Sequence, residues 1–175
     1  MPTDRRDFYL AGDHTCGPQR ERRGDPEMTS DPAHSNRDDD LETVIRSVLV
    51  RTRTIAVVGL SPRPERPSHA VAAYLQAHGF RVLPVNPTAI EILGERCFPD
   101  VLSIGEPVDM VNVFRIPDEC PEVAKQAVAA GTKFLWLQLG ITSVEAARIA
   151  RAGGLEVVMD RCIMIDHGRL AGTLH

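Results

Sequence analysis

The chain has four cysteines, and no two of them sit close together in sequence. Cys16, Cys97, Cys120 and Cys162 are widely spaced and form no C-x-x-C pair. That excludes a disulfide framework or a structural zinc site as the organising feature and reads as reduced thiols. Long hydrophobic runs are missing too: no segment approaches the roughly 18 apolar residues of a membrane span. The N-terminus has no apolar h-region, so no signal peptide is expected. With a net charge of −4, the chain also lacks the basic footprint that nucleic-acid binding leaves. A cytoplasmic protein with neither a membrane nor a nucleic-acid partner is expected.

Several cofactor and catalytic signatures are absent as well. There is no Walker P-loop. The serine-hydrolase elbow G-x-S-x-G fails because Arg63 stands where its second glycine belongs. The dinucleotide fingerprint G-x-G-x-x-G would need glycine at Ser61 and Pro64. Cys162 and His167 supply at most two zinc ligands, so no metal is expected.

What is present is a chain of 175 residues, 43% hydrophobic, enough for one domain and a tail. Residues 1 to about 37 are polar, rich in Arg, Asp, Pro and Gly, and without apolar period. They read as a disordered tail, inside which Met28 could serve as the start. Residues 38–175 read as the folded domain. Leu41, Val44, Ile45, Val48 and Leu49 recur at helical spacing behind a capping-box pair, Asp39 and Glu42.

Strands and helices then alternate. Strands are expected at 54–58, 81–85, 109–114, 133–139 and 155–159. Helices are expected near 68–78 and 121–130, and from a Thr142–Glu145 capping box to Gly153. Residues 88 to 107 read as irregular, with a short helix near Ala89–Leu93, and a last segment follows Asp160. Such alternation implies βαβ units. The fold class is α/β: a single Rossmann-like domain with a five-stranded, mostly parallel sheet and helices on both faces. Its ligand would lie outside the carboxyl ends of the strands.

Four loops leave those ends. The first, from Gly59 to Ser68, joins a strand to a helix N-terminus, a setting that suits an anion. Ser61 and Ser68 offer hydroxyls there, and Arg63 and Arg66 offer charge. It reads equally as a proline-stiffened surface loop with solvated arginines. The second is Val85-Asn86-Pro87, which lacks the acid that would hold the ribose diol of NAD. The third is Phe114-Arg115, able to cover a base or meet a phosphate, or simply a hinge. The fourth is Gln138-Leu139-Gly140-Ile141, whose Gln would face the same cleft.

Six stretches together resemble a known family. They are Val58-Gly59-Leu60-Ser61, Arg66-Pro67-Ser68, Pro84-Val85-Asn86-Pro87, Asp109 to Arg115, Trp136 to Ile141, and Met159-Asp160-Arg161-Cys162. In this order, each at a strand end or the final turn, they resemble the stand-alone CoA-binding domain proteins. Those small bacterial and archaeal proteins are similar to the CoA-binding domain of succinyl-CoA synthetase α subunits. The resemblance covers about residues 40 to 170. It implies a coenzyme A nucleotide lying across the strand ends. Gly59, Leu60, Ser61, Arg66 and Ser68 would hold phosphates. Val85, Asn86 and Pro87 would border the adenosine, Phe114 and Arg115 would form the opposite wall, and Gln138, Gly140 and Ile141 would flank the pantetheine. CoA has no free ribose diol and carries a 3′-phosphate, which an acid at position 86 would repel.

Cys162, beside Arg161 and five residues before His167, is the best nucleophile candidate. A thiol near a helix start can have a lowered pKa, although a lone cysteine in apolar surroundings is as readily a small core residue. Under oxidation it could also form a mixed disulfide with the CoA thiol. The phosphohistidine domain and ATP-grasp partner of a ligase do not fit in 175 residues, so ligase activity by this chain alone is not expected. The expected function is non-catalytic binding of CoA or acyl-CoA, a small-molecule ligand, with no protein partner identified. The rivals are a transferase using Cys162, an NAD(P)-linked reductase, and a scaffold that docks a partner through the Leu41–Leu49 helix.

Overall fold

Apolar residues recur at every second position of the strands, and each set faces its own layer of helices. The computed structural model describes residues 32–173. In chain order its elements are α1 (Pro32–Arg51), β1 (Thr54–Val58), α2 (Pro67–Ala77), β2 (Arg81–Val85), β3 (Glu91–Ile92), β4 (Glu95–Arg96), β5 (Met110–Val113), α3 (Cys120–Ala129), β6 (Phe134–Leu137), α4 (Val144–Ala152), β7 (Glu156–Val158) and α5 (Ile163–Leu170). Ile55, Val57, Met110, Phe134 and Trp136 pack with α1, α2 and α5. Ala56, Val58, Val111, Leu135 and Leu137 pack with α3 and α4. Burial on both faces is what a parallel sheet requires.

The five-stranded sheet has the order β2-β1-β5-β6-β7, and every pair in it is parallel. Val58 lies beside both Val85 and Val113, and Val113 beside Leu137. The carboxyl ends are therefore level. From β1 and β5 the chain departs in opposite directions, which opens a crevice between them. Outside β2, Phe98 makes a single parallel bridge with Val85. The Asn86 N–H donates to the Phe98 carbonyl and the Phe98 N–H to the Pro84 carbonyl, both at 2.9 Å. This bridge carries Pro99 and Asp100 to the crevice.

At the opposite end Asp109 gathers three strands. Its carboxylate accepts from the N–H groups of Arg53 and Thr54, at 3.0 and 3.1 Å, and from Lys133 Nζ at 2.8 Å. Burial pushes its pKa up, but the Lys133 contact and the two N–H groups outweigh this and hold it below the usual carboxylate range.

The strands and helices expected from the sequence form with boundaries shifted by a residue or two, and three details differ. The helix anticipated near Ala89–Leu93 is the β3–β4 hairpin. Leu93 and Gly94 both have positive φ, at 54° and 77°, the conformation of a two-residue type I′ turn. The cap of α4 is Ser143, not Thr142. Its extended backbone lets Oγ accept from the Ala146 N–H, at 3.3 Å, while Glu145 turns outward to Arg148. Finally, α1 begins at Pro32 rather than Asp39, so the Asp39–Glu42 pair falls within the helix. Residues 1–31, most of the expected tail, lie outside the described residues. No described helix is long and apolar enough to cross a membrane.

Candidate functional site

Gly59 follows β1 and separates two clefts that open at the carboxyl edge of the sheet. One, of about 350 Å³, is lined by Gly59, Ser61, Arg66, Pro67, Ser68 and Phe114. The other, of about 420 Å³, has a floor of Val58, Gly59, Val85 and Pro87, and Arg115 is part of its wall. The backbone is left-handed at Gly59, with φ of 82°. A Cβ there would stand 2.6 Å from the Phe114 carbonyl oxygen and 2.9 Å from Arg115 Cδ. No side chain fits at that crossing, so the backbones after β1 and β5 meet directly.

The first cleft is built for negative charge. Helix α2 has no acidic residue in its first turn, and no side chain caps it. Pro67 has no N–H, and the N–H groups of His69 and Ala70 both go to the Arg66 carbonyl. Ser68 thus supplies the first-turn N–H without an acceptor among the described residues. Unpaired donors and the helix dipole together attract an anion. Arg63 and Arg66 are exposed, and neither forms an ion pair among the described residues. The loop is also held in place before any ligand arrives. Ser68 Oγ accepts from the Ser61 N–H at 3.1 Å, and His69 Nδ1 lies 3.0 Å from the Ser61 carbonyl. A pre-ordered loop loses less entropy on binding.

The second cleft has a different character. Val58, Val85, Pro87, Pro99 and Val123 give it an apolar floor, suited to a flat base, and carboxylates from Asp100, Asp118, Glu119 and Glu122 surround it. Its single basic side chain, Arg115, is ion-paired with Glu119. Nothing in the sequence singles out these acids, because they belong to segments far from the glycine loop. Only the Phe98 bridge and the start of α3 bring them there.

Eight of the fourteen residues singled out from the sequence line these clefts: Gly59, Ser61, Arg66, Ser68 and Phe114 in the first, and Val85, Pro87 and Arg115 with Gly59 again in the second. The other six line neither. Leu60 is fully buried, with its side chain in the core. Asn86 joins two loops: its Nδ2 donates to the Leu60 carbonyl at 2.8 Å, while its Oδ1 accepts from the N–H groups of Thr88 and Ala89. An aspartate could not make the first of these bonds. Gln138 is buried, and its amide donates to Asn112 Oδ1 at 2.8 Å instead of facing the cleft. The Gly140 N–H donates to Asp160 Oδ1 at 2.7 Å. Ile141 packs beneath the α3–α4 layer.

Cys162 is the N-cap residue of α5 and packs, half-buried, against the other core layer. Cys120 lies nearer the clefts, at the start of α3, but is fully buried with Sγ 3.4 Å from the Ile116 carbonyl. Burial, and then the Glu119 charge, push its thiol pKa up, the wrong direction for a nucleophile. Among the described residues, no three His, Cys, Asp or Glu side chains come together to hold a metal ion.

A family model described as a CoA binding domain matches residues 53–168. YneT of Bacillus subtilis strain 168 is 40% identical over 123 residues, which cover 70% of this chain and 91% of that protein. A solved structure of a hypothetical protein from Pyrococcus horikoshii OT3 is 41% identical with a TM-score of 0.73, covering 75% of this chain and 92% of that one. ADP-forming acetate–CoA ligase II of Archaeoglobus fulgidus is 33% identical over 83 residues, 46% of this chain but 12% of the ligase.

Proposed function

Because the chain belongs to the CoA-binding domain family, we propose that it binds coenzyme A or an acyl-CoA and catalyses no reaction itself. The nucleotide crosses Gly59. Its pyrophosphate meets the α2 N-terminus, Ser61, Ser68 and Arg66, and its adenine rests on Val85 and Pro87 beside Arg115. The pantetheine arm passes Phe114 toward the Gln138–Ile141 loop. One observation carries this reading: at Gly59 a side chain would collide with the Phe114 carbonyl, so bare backbone joins an anion-attracting cleft to an apolar one. The kinship with a ligase that joins acetate to CoA supports CoA as the ligand. The shared stretch is 12% of that enzyme, so its ligase activity is not carried over.

No comparable observation favours the rival readings. Cys162 lines neither cleft, and NAD lacks its glycines at Ser61 and Pro64 and its acid at Asn86. Thermal-shift titration with CoA, acetyl-CoA, NAD and NADP tests the proposal, with co-purified ligand first excluded by mass spectrometry. A ligand at 100 times its Kd adds about 2.7 kcal/mol, a shift of several degrees. Stabilisation by CoA and acetyl-CoA but not NAD is expected. Stabilisation by NAD alone would refute the proposal.

A further inference from the structure

We infer that this site discriminates against the 3′-phosphate of CoA and binds the same nucleotide more tightly when its ribose is unphosphorylated. The inference rests on the CoA-type reading above and concerns the nucleoside end of that ligand. The two clefts that meet at Gly59 differ in charge. Arg66, with Ser61, Ser68 and the uncapped α2 N-terminus, lines the first. Asp100, Asp118, Glu119 and Glu122 line the second, with Arg115 the one basic group among them.

Arg115 and Glu119 offset each other, and Asp100 and Asp118, which form no ion pair among the described residues, leave this cleft net negative. Lys125, the next cation along α3, lies 3.2 Å from Glu122 and is paired there. The loop after β2, from Asn86 to Ile90, contains no Lys or Arg. A diphosphate in the first cleft and a base over Val85 and Pro87 put the ribose between Gly59 and this acidic wall. A dianionic 3′-phosphate there meets net negative charge, and Arg115, the one basic residue lining this cleft, is already paired, whereas free ribose hydroxyls can donate hydrogen bonds to carboxylates.

Calorimetric titration of the full chain with CoA and dephospho-CoA, in buffer containing EDTA, tests this. At low salt dephospho-CoA should bind on the order of tenfold more tightly, and the ratio should shrink at high salt as the repulsion is screened. An Asp118→Asn/Glu122→Gln double variant should raise CoA affinity several-fold and weaken dephospho-CoA binding, closing the gap between the two ligands. Both side chains are exposed, so folding is spared, and circular dichroism melts confirm it. CoA binding more tightly than dephospho-CoA at low salt, or a ratio the double variant does not move, overturns the inference while leaving the CoA reading intact. Failure of both ligands to bind removes the CoA reading and this inference with it.

Discussion

Replacing Gly59 with alanine separates two effects that glycine combines, and Gly79 supplies the control. Both residues have left-handed backbone, with φ of 82° and 85°. A Cβ at Gly79 would meet nothing within 4 Å, whereas one at Gly59 would stand 2.6 Å from the Phe114 carbonyl oxygen. The left-handed conformation costs a side chain about 1–2 kcal/mol at either site. Forcing a methyl group against fixed backbone adds about 1–3 kcal/mol at Gly59 alone.

Gly79→Ala should therefore cost about 1–2 kcal/mol and Gly59→Ala about 2–5 kcal/mol, out of a total stability of roughly 5–15 kcal/mol. In a domain of this size the second figure lowers Tm by roughly 10 °C. Urea and thermal melts of both variants read the difference directly. CoA titration should find Gly79→Ala binding normally and Gly59→Ala strongly impaired, because the strands it separates must spread. Melting of Gly59→Ala within about 2 °C of Gly79→Ala would refute the close approach and the role assigned to it.

Three further perturbations probe the surroundings. Asn86→Asp removes the amide that donates to the Leu60 carbonyl and faces that carbonyl with charge. It should cost about 1–3 kcal/mol and weaken CoA binding, and an unchanged urea midpoint would contradict the pinning role. His167 lies 3.0 Å from Tyr74 Oη, with His78 and Phe80 rings edge-on to it. Burial, and then the His78 charge, hold its pKa below the ordinary value. The unfolded chain then takes up the proton more readily, so this contribution is complete above about pH 6.5 and declines as pH falls further. His167→Gln should flatten the urea midpoint between neutral and mildly acidic pH, and a wild-type midpoint that rises on acidification through that window would contradict it. Cys162→Ser should change CoA affinity by less than about threefold, because Cys162 lines neither cleft. A loss beyond about tenfold would return the thiol to the site.

Most of the fold was legible because local and long-range preferences agree. Thr54–Val58 is β-branched, bounded by Gly59 and buried on both faces, and the same logic recurs at each later strand. Leu93-Gly94 was not legible as a turn because leucine rarely adopts a left-handed backbone. Thr142 and Ser143 are both acceptable caps, and only the backbone at Ser143 chooses between them. At the site, the glycine loop and Phe114-Arg115 could be read because each directly follows its own strand. The roles of Asn86 and Gln138 could not, since each depends on a partner brought by another strand, the Leu60 carbonyl in one case and Asn112 in the other. The acidic wall was hidden for the same reason. Asp100 and Glu122 are ordinary surface acids until the Phe98 bridge and α3 set them around one cleft.

The most direct test of a nucleotide lying across Gly59 is a two-dimensional amide NMR titration of the full chain with CoA. The account predicts saturable shifts concentrated at Gly59 to Ser68, Val85 to Ala89 and Phe114 to Glu119. Residues at the opposite end of the sheet, such as Asp109 and Lys133, should stay still. Shifts centred on that opposite end, or none at ligand concentrations that stabilise the protein, would contradict it.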